Sequence, residues 1–180
     1  MKTADDVLNF WFVSHGEADW FGARPEFDAE IARNFSETHA AVARGEASFW
    51  RTTPSGRLAE IIVLDQFSRQ LFRQRPEAFA TDPMALRLAH EAVGQGADML
   101  VEPRRRGFFY LPYMHSESLA VHDEAMRLYE RYAYGENLKY EIAHRDCLIR
   151  FGRYPRRNAA LGRASTPEEL EYIASGTGML

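Results

Sequence analysis

Asp65 and Arg69 are ionisable residues four positions apart, and such a pair could take part in binding or catalysis. Both lie in the segment LAEIIVLDQFSRQLF, residues 58–72. At about 100° per residue a helix over this segment is apolar on two faces, with the aspartate and the arginine in the middle of one of them. Such a helix is buried, and buried charges need partners, which the i,i+4 spacing allows. The pair predicts either a buried ion pair that fixes helix register or part of a binding cleft.

His144 is a second inward-facing ionisable residue. In the segment NLKYEIAHRDCLIRF, residues 137–151, it shares an apolar stripe with Tyr140, Cys147 and Leu148. An inward histidine is either a hydrogen-bonded core residue or a general base. Cys147 lies one turn away, but a single cysteine on an apolar stripe is typical of packing.

The segment YMHSE, residues 113–117, is predicted to form the entrance of a long helix that runs to about residue 134. Ser116 would cap this helix and Glu117 would lie in its first turn. His115 and Glu117 could supply acid–base chemistry or metal ligands there, and an ordinary cap is the alternative. The possible ligands Asp65, His115, Glu117 and His144 do not have the spacing of a metal motif, so we predict no metal site.

Arginine is concentrated in the stretch from His144 to Arg163, which contains six arginines and one acid, Asp146. Planar guanidinium groups match carboxylate and phosphate with two parallel hydrogen bonds. The stretch therefore predicts an anion site, or else pairing of these arginines with acids such as Asp65 and Glu117.

The composition is that of a globular protein. The chain has 180 residues, 46% of them hydrophobic. Its single cysteine excludes an intramolecular disulfide. Its net charge of −4 gives no reason to expect nucleic-acid binding. The start MKTADDVLNFWF lacks the pattern of a signal peptide, and no apolar window is long enough for a membrane span. We expect a cytoplasmic protein, monomer or homodimer, without membrane or nucleic-acid partners.

Helix signals punctuate the chain nearly throughout, and strand patterns are almost absent. The signals predict helix starts at Thr3, Pro25 and Thr166, a helix over 57–73, an N-cap at Asp82, irregular structure over 97–112 and a helix over 136–151. The sequence therefore predicts an all-α fold of antiparallel helix pairs in a single domain, residues 1–180.

Several of these segments together resemble the bacterial domain-of-unknown-function 924 family. They are VLNFWF (7–12), DWFG (19–22), VLDQFSRQLF (63–72), AFATDP (78–83), YLPYMHSE (110–117), HRD (144–146) and RFGRYPRRNAALGRASTPEE (150–169). The chain departs from the family pattern at Ser68, where proline is expected, and at Arg156, where histidine is frequent. The resemblance covers nearly the whole chain and implies a tetratricopeptide-like array, but it brings no established activity.

Our leading hypothesis is a domain that binds a small anionic ligand or a peptide carboxylate, without a cofactor. The predicted site consists of Asp65, Arg69, His115, Glu117, His144, Arg150, Arg153 and Asn158. One alternative is a hydrolase in which His115 or His144 is a general base with a carboxylate partner such as Glu117. Another is an interaction scaffold of the tetratricopeptide type, in which the polar residues are structural.

Overall fold

Helices make up the regular structure of residues 1–132 and 134–176, the part of the chain that the computed structural model describes. No strand occurs in this part, so the all-α prediction is confirmed. The α-helices are α1 (Ala4–Asn9), α2 (Glu17–Trp20), α3 (Pro25–Ala43), α4 (Pro54–Ile62), α5 (Ser68–Leu71), α6 (Asp82–Gly94), α7 (Pro103–Met114), α8 (Leu119–Tyr132), α9 (Asn137–Phe151) and α10 (Pro167–Ala174).

Three of the predicted helix starts are confirmed with the local chemistry expected for them. The Thr3 side chain accepts a hydrogen bond from the backbone of Asp6, whose carboxylate accepts one in return. Thr166 and Glu169 form the same reciprocal box at the start of α10. Pro25 occupies the first position of α3, where a missing N–H costs nothing.

A π-helical turn, Val63–Phe67, joins α4 to α5 and makes the two into one continuous helical segment. The predicted helix over 57–73 is therefore present, but it spans residues 54–71 and its hydrogen-bond register changes at the π turn. The hydroxyl groups of Ser68 and Thr81 both donate to the backbone carbonyl of Leu64, at 2.6 Å each. Side chains thus provide donors where the helical ladder changes.

The structure contradicts two predictions about α6 and α7. Asp82 is the first residue of α6 rather than its N-cap, which is Thr81; the Asp82 carboxylate accepts hydrogen bonds from arginines instead. The region predicted to be irregular contains α7, despite Pro112 within the helix. Burial of its side chains, such as Phe109 and Tyr113, offsets the hydrogen bond that the proline removes.

The segment around His115 lies at the C-terminal end of a helix and not at the predicted N-terminal end. α7 ends at Met114, and His115 follows as its C-cap. The next helix begins only at Leu119, where the carbonyl of Ser118 accepts the first helical N–H groups. Ser116 is therefore not the predicted N-cap and Glu117 is not in a first turn. The backbone near His115 offers carbonyl groups rather than anion-binding N–H groups.

The core surrounds α4 and the π turn, which pack against α1, α3, α6 and α7. Its aromatic part includes Trp11, which is fully buried and stacks on Trp20 with 5.4 Å between ring centroids. Phe67 from the π turn is also fully buried and contacts Trp11. Among the described helices, none has the length and apolar character to cross a membrane.

Candidate ligand-binding site

Asp65, carried by the π turn, is the centre of the buried polar side chains. Its side chain is 1% exposed. His115 Nδ1 lies 2.7 Å from Asp65 Oδ1, and Gln66 Nε2 donates to Oδ2 at 2.6 Å. The Arg69 guanidinium lies 3.3 Å from Oδ1, so the predicted i,i+4 contact is confirmed. Burial would raise the pKa of Asp65, but Arg69 and these hydrogen bonds hold it well below its ordinary range.

Arg69 and Arg157 share the carboxylate of Asp82 at the start of α6. Arg69 donates to both oxygens of this carboxylate, at 3.0 and 3.1 Å. Arg157 reaches it with one contact of 3.5 Å and donates to the backbone carbonyl of His115 at 2.9 Å. We call Asp65, Arg69, Asp82, His115 and Arg157 the central cluster.

Arg157 is a buried cation with few acceptors. Its side chain is 6% exposed, and its guanidinium packs on the rings of Phe79 and Tyr154, 4.8 and 4.6 Å from their centroids. Burial, together with the nearby charge of Arg69, lowers the pKa of Arg157 to about 10. The Nε atoms of both arginines are buried and have no hydrogen-bond partner among residues 1–132 and 134–176.

His144 lies beside the central cluster, with its ring centroid 6.5 Å from that of His115. Its Nδ1 donates to the backbone carbonyl of Tyr140 at 2.6 Å, because a carbonyl can only accept. Burial lowers the pKa of both histidines to about 4, helped at His115 by the charge of Arg69. Both rings are therefore neutral at pH 7, and in each the Nε2 atom is left as an acceptor.

The arginine-rich segment forms a second set of contacts, in which Glu117 is one anchor. Arg163 donates to both oxygens of Glu117, at 2.7 and 2.9 Å. The backbone N–H of Tyr154 donates to the same carboxylate at 2.8 Å. Burial would raise the pKa of Glu117, but these donors lower it. Both oxygens of Glu117 are thus used to hold the chain that follows α9.

Glu169 is the other anchor. Arg153 donates to both of its oxygens, at 2.7 and 2.8 Å, and Asn158 lies within 3.3 Å of one of them. Asn158 also accepts a hydrogen bond from Arg163 at 2.9 Å, which joins the two anchors. We call Glu117, Arg153, Asn158, Arg163 and Glu169 the C-terminal clasp.

Arg150 belongs to neither set of contacts. It pairs with Glu168 at 2.8 Å, and its side chain is 54% exposed. The structure therefore brings together Asp65, Arg69 and His115, with His144 beside them. It places Glu117, Arg153 and Asn158 in the clasp. Within the described part of the chain, no group of three or more His, Cys, Asp and Glu side chains is arranged to hold a metal ion.

The model of a bacterial protein family of unknown function, DUF924, matches residues 7–177. The chain belongs to this family. A solved structure, a protein of unknown function (ATU0120) from Agrobacterium tumefaciens, is similar over 96% of this chain and 97% of the other, with 39% identity and a TM-score of 0.91. No curated protein shows significant similarity.

Asp82 and Arg157 are members of the central cluster that were not predicted from the sequence. The sequence predicts a helix cap at Asp82, and nothing local distinguishes Arg157 from the other arginines between His144 and Arg163. Their contact spans 75 positions, so periodicity could not reveal it. One feature of the sequence could have indicated the contact. Thr81 can cap the helix in place of Asp82, which leaves the Asp82 carboxylate free to pair with an arginine.

His122, Glu141 and Tyr154 form a buried trio that was also not predicted from the sequence. The His122 and Glu141 side chains are fully buried, with 2.6 Å between Nδ1 and Oε1. His122 Nε2 lies 3.0 Å from the Tyr154 hydroxyl group. Burial raises the pKa of Glu141. Two i,i+3 spacings could have indicated these residues. On α8 the spacing places His122 on the same face as the apolar Ala125, and on α9 it places Glu141 on the same face as His144.

Proposed function

We propose that the protein binds a small anion, a carboxylate or a phosphate, at the central cluster. The observation that carries this proposal is the sharing of Asp82 by two arginines. Arg69 donates to both oxygens of the carboxylate, whereas Arg157 contacts it once, at 3.5 Å. An anion beside Arg157 would provide the two parallel hydrogen bonds that a guanidinium group favours.

The exposure of the cluster supports access from one edge. The side chains of Arg69 and Asp82 are 14% and 19% exposed, whereas those of Arg157 and His115 are 6% and 7% exposed. Arg69 and Asp82 are therefore the members of the cluster that a ligand from solvent would meet first. Because neutral His115 and His144 offer acceptor nitrogens, an anion that also carries a hydroxyl group, such as a hydroxy acid or hydrogen phosphate, suits the site best.

This proposal is narrower than the eight-residue site expected from sequence. Arg153 has the Glu169 carboxylate as a bidentate partner, and Glu117 is occupied by Arg163. We therefore assign Glu117, Arg153 and Asn158 to holding the C-terminal segment. Arg150 becomes a control residue, since its partner lies at the surface.

Calorimetric titration with phosphate and with lactate, at fixed ionic strength, tests the proposal. We expect saturable binding of at least one of them, weakened about tenfold or more in Arg157→Lys, which keeps the charge but loses the bidentate geometry. Arg150→Lys is the matched control and should bind as the wild type does.

Two results would contradict anion binding at the cluster. One is the absence of saturable binding of either anion to the folded wild type. The other is unchanged affinity in Arg157→Lys. Because Arg157 is buried, folding of the variant is checked by circular dichroism. If it does not fold, the shifts of the His115 and His144 ring signals on titrating the wild type decide, since a bound anion here must move them.

A hydrolase is the second candidate, and one specific observation favours it. Asp65 is hydrogen-bonded to His115 Nδ1, which is the arrangement that orients a histidine and leaves Nε2 to take a proton. Among the described residues, Nε2 of His115 has no hydrogen-bond partner, as a free base would require. Glu117, the partner suggested by sequence, is engaged by Arg163 instead.

Hydrolysis of aryl esters and aryl phosphates by the wild type and by His115→Gln tests this candidate. We expect His115→Gln to lower the rate by about a hundredfold or more, while His90→Gln, a change at a half-exposed histidine that contacts Glu124, leaves it unchanged. Equal rates in the wild type and His115→Gln, or no hydrolysis by the wild type, would count against catalysis of this kind.

The broader expectations stay predictions. They are a tetratricopeptide-like arrangement of the helices, a single domain over residues 1–180, a cytoplasmic location and a monomeric or homodimeric state. The scaffold hypothesis belongs with them and requires a partner chain. It differs from anion binding in its test, because a scaffold would keep partner binding when Arg157 is replaced by lysine.

A further inference from the structure

A cavity of about 480 Å³ lies away from the central cluster, between the end of α6, the 3₁₀ turn Ala97–Leu100 and the end of α8. Its volume is within the range of small-molecule sites. It shares no lining residue with the central cluster. Its lining includes Val93, Asp98, Met99, Arg127, Leu128 and Arg131.

Asp98 is a buried carboxyl group without a cation of its own. The residue is 2% exposed, and its Oδ2 accepts a hydrogen bond from the Tyr110 hydroxyl group at 2.6 Å. No ion pair to Asp98 is found within residues 1–132 and 134–176. Arg106 lies close but donates to the backbone carbonyl of Asp98, not to its side chain. The second carboxyl oxygen, Oδ1, has no partner in the same part of the chain.

Arg127 and Arg131 line the same cavity. They are one turn apart on α8 and both are exposed. In the described part of the chain neither makes an ion pair, whereas Arg145 on α9 pairs with Asp123. The Arg131 guanidinium packs on the Tyr132 ring, 5.1 Å from its centroid. Within the described residues the cavity therefore combines an acid without an ion-pair partner and two arginines without one, and Val93, Met99 and Leu128 form its apolar wall.

We propose that this cavity binds a small zwitterion, an apolar α-amino acid or a short apolar peptide. Its ammonium group would contact Asp98, its carboxylate would contact Arg127 and Arg131, and its side chain would lie against the apolar wall. Each ligand charge then meets an opposite charge that has no ion-pair partner among the described residues, which offsets the cost of burying Asp98. This site is independent of anion binding at the central cluster, because the two share no residue.

Titration with L-leucine and L-leucyl-L-leucine, followed by calorimetry, tests the proposal. We expect at least one to bind the wild type, and to bind about tenfold or more weakly after Asp98→Asn or after the double change Arg127→Gln with Arg131→Gln. Asp98→Asn keeps an acceptor for Tyr110 but removes the charge. Arg104→Gln, a change at an exposed arginine paired with Glu102, and Asp123→Asn are the matched controls.

Two analogues test each charge on the unchanged protein. 4-Methylpentanoate lacks the ammonium group of leucine and 3-methylbutylamine lacks its carboxylate, so both should bind about tenfold or more weakly than leucine. If Asp98→Asn fails to fold, the exposed arginine pair and the analogues decide. Three results would overturn the proposal. They are no binding of either zwitterion to the wild type, analogues that bind as tightly as leucine, and unchanged affinity in the double arginine variant.

Discussion

The central cluster and the C-terminal clasp both join two arginines to two carboxylates, but they distribute the contacts between them differently. In the clasp, Arg153 and Arg163 each hold a carboxylate with two hydrogen bonds, to Glu169 and Glu117. In the central cluster, two arginines compete for Asp82. The Arg163 side chain of the clasp is also more exposed than the Arg157 side chain of the cluster, at 24% against 6%.

The difference shows how to separate a structural arginine from one that is available to a ligand. Arg153 and Arg163 have their bidentate acceptors within the chain, so holding the C-terminal segment accounts for them. Arg157 is buried with a shared acceptor and an unpaired Nε, and nothing within the described structure completes its hydrogen bonding. Local arginine density predicted both groups, but only the number of acceptors per arginine distinguishes them.

Removal of the shared carboxylate should have the largest effect. Asp82→Asn leaves Arg69 and Arg157 close together without the negative charge of the Asp82 carboxylate. We expect the free energy of unfolding, measured with urea, to fall by about 3–5 kcal/mol. Phosphate should stabilise this variant more than the wild type, because an anion would replace the lost charge. A loss below that of the exposed control Asp123→Asn would show that the two arginines do not depend on Asp82.

The neutral histidines predict the next largest effect, which depends on pH. The pKa of His144 is lowered to about 4 in the folded protein, against about 6.5 in an unfolded chain. The unfolded chain therefore binds more protons between these values, and stability falls as pH falls through this window. His144→Gln should lessen the loss between pH 7 and pH 5 by about 2 kcal/mol. An equal loss in both proteins would mean that His144 titrates normally.

Disruption of the clasp should have a smaller and more local effect. Arg153 and the Thr166 backbone lower the pKa of Glu169 to about 2, so its contribution is present above about pH 4.3 and is lost as pH falls towards 2. In Glu169→Gln we expect faster amide hydrogen exchange confined to α10, and less acid destabilisation in that window. Added phosphate should not reverse the change, in contrast to Asp82→Asn. Protection of α10 equal to that of the wild type would show that the clasp does not hold this helix.

The smallest effect is expected at Arg150. Because its pair with Glu168 is exposed, Arg150→Lys should change the free energy of unfolding by no more than about 0.5 kcal/mol. Denaturant unfolding measures this free energy, and titration with phosphate measures the phosphate affinity of the variant, which should equal that of the wild type. A loss comparable to that of Asp82→Asn would remove the contrast between exposed and buried arginines.

Local signals in the sequence predicted the local features of the structure. Pro25 and Thr166 mark helix starts because a proline ring and a side-chain cap act within one turn. The Asp65–Arg69 contact follows from helical spacing, and the inward position of His144 follows from its stripe. These predictions depend on neighbours in the chain, which is why they were possible.

Contacts between distant segments were not predictable in this way. His115 meets Asp65 across 50 positions, and the type of each residue leaves several partners open. The placement of His115 at the end of α7 was missed for a related reason. Pro112 and the arginines of 104–106 indicate irregular structure, but packing of Phe109 and Tyr113 in the core keeps this segment helical. Tertiary packing overrides local preference there.

The π turn at Val63–Phe67 also sets a limit on the length of the chain. Each residue in a helix accounts for about 100° of rotation, so deleting one residue from this turn would rotate the preceding helix relative to Arg69 by about that angle. The apolar side chains of α4 could then no longer face the core while Asp65 kept its contacts. Substitutions here change single interactions, whereas a one-residue deletion would misalign the core and the central cluster together. We therefore expect the spacing between α4 and α5 to tolerate changes of composition better than changes of length.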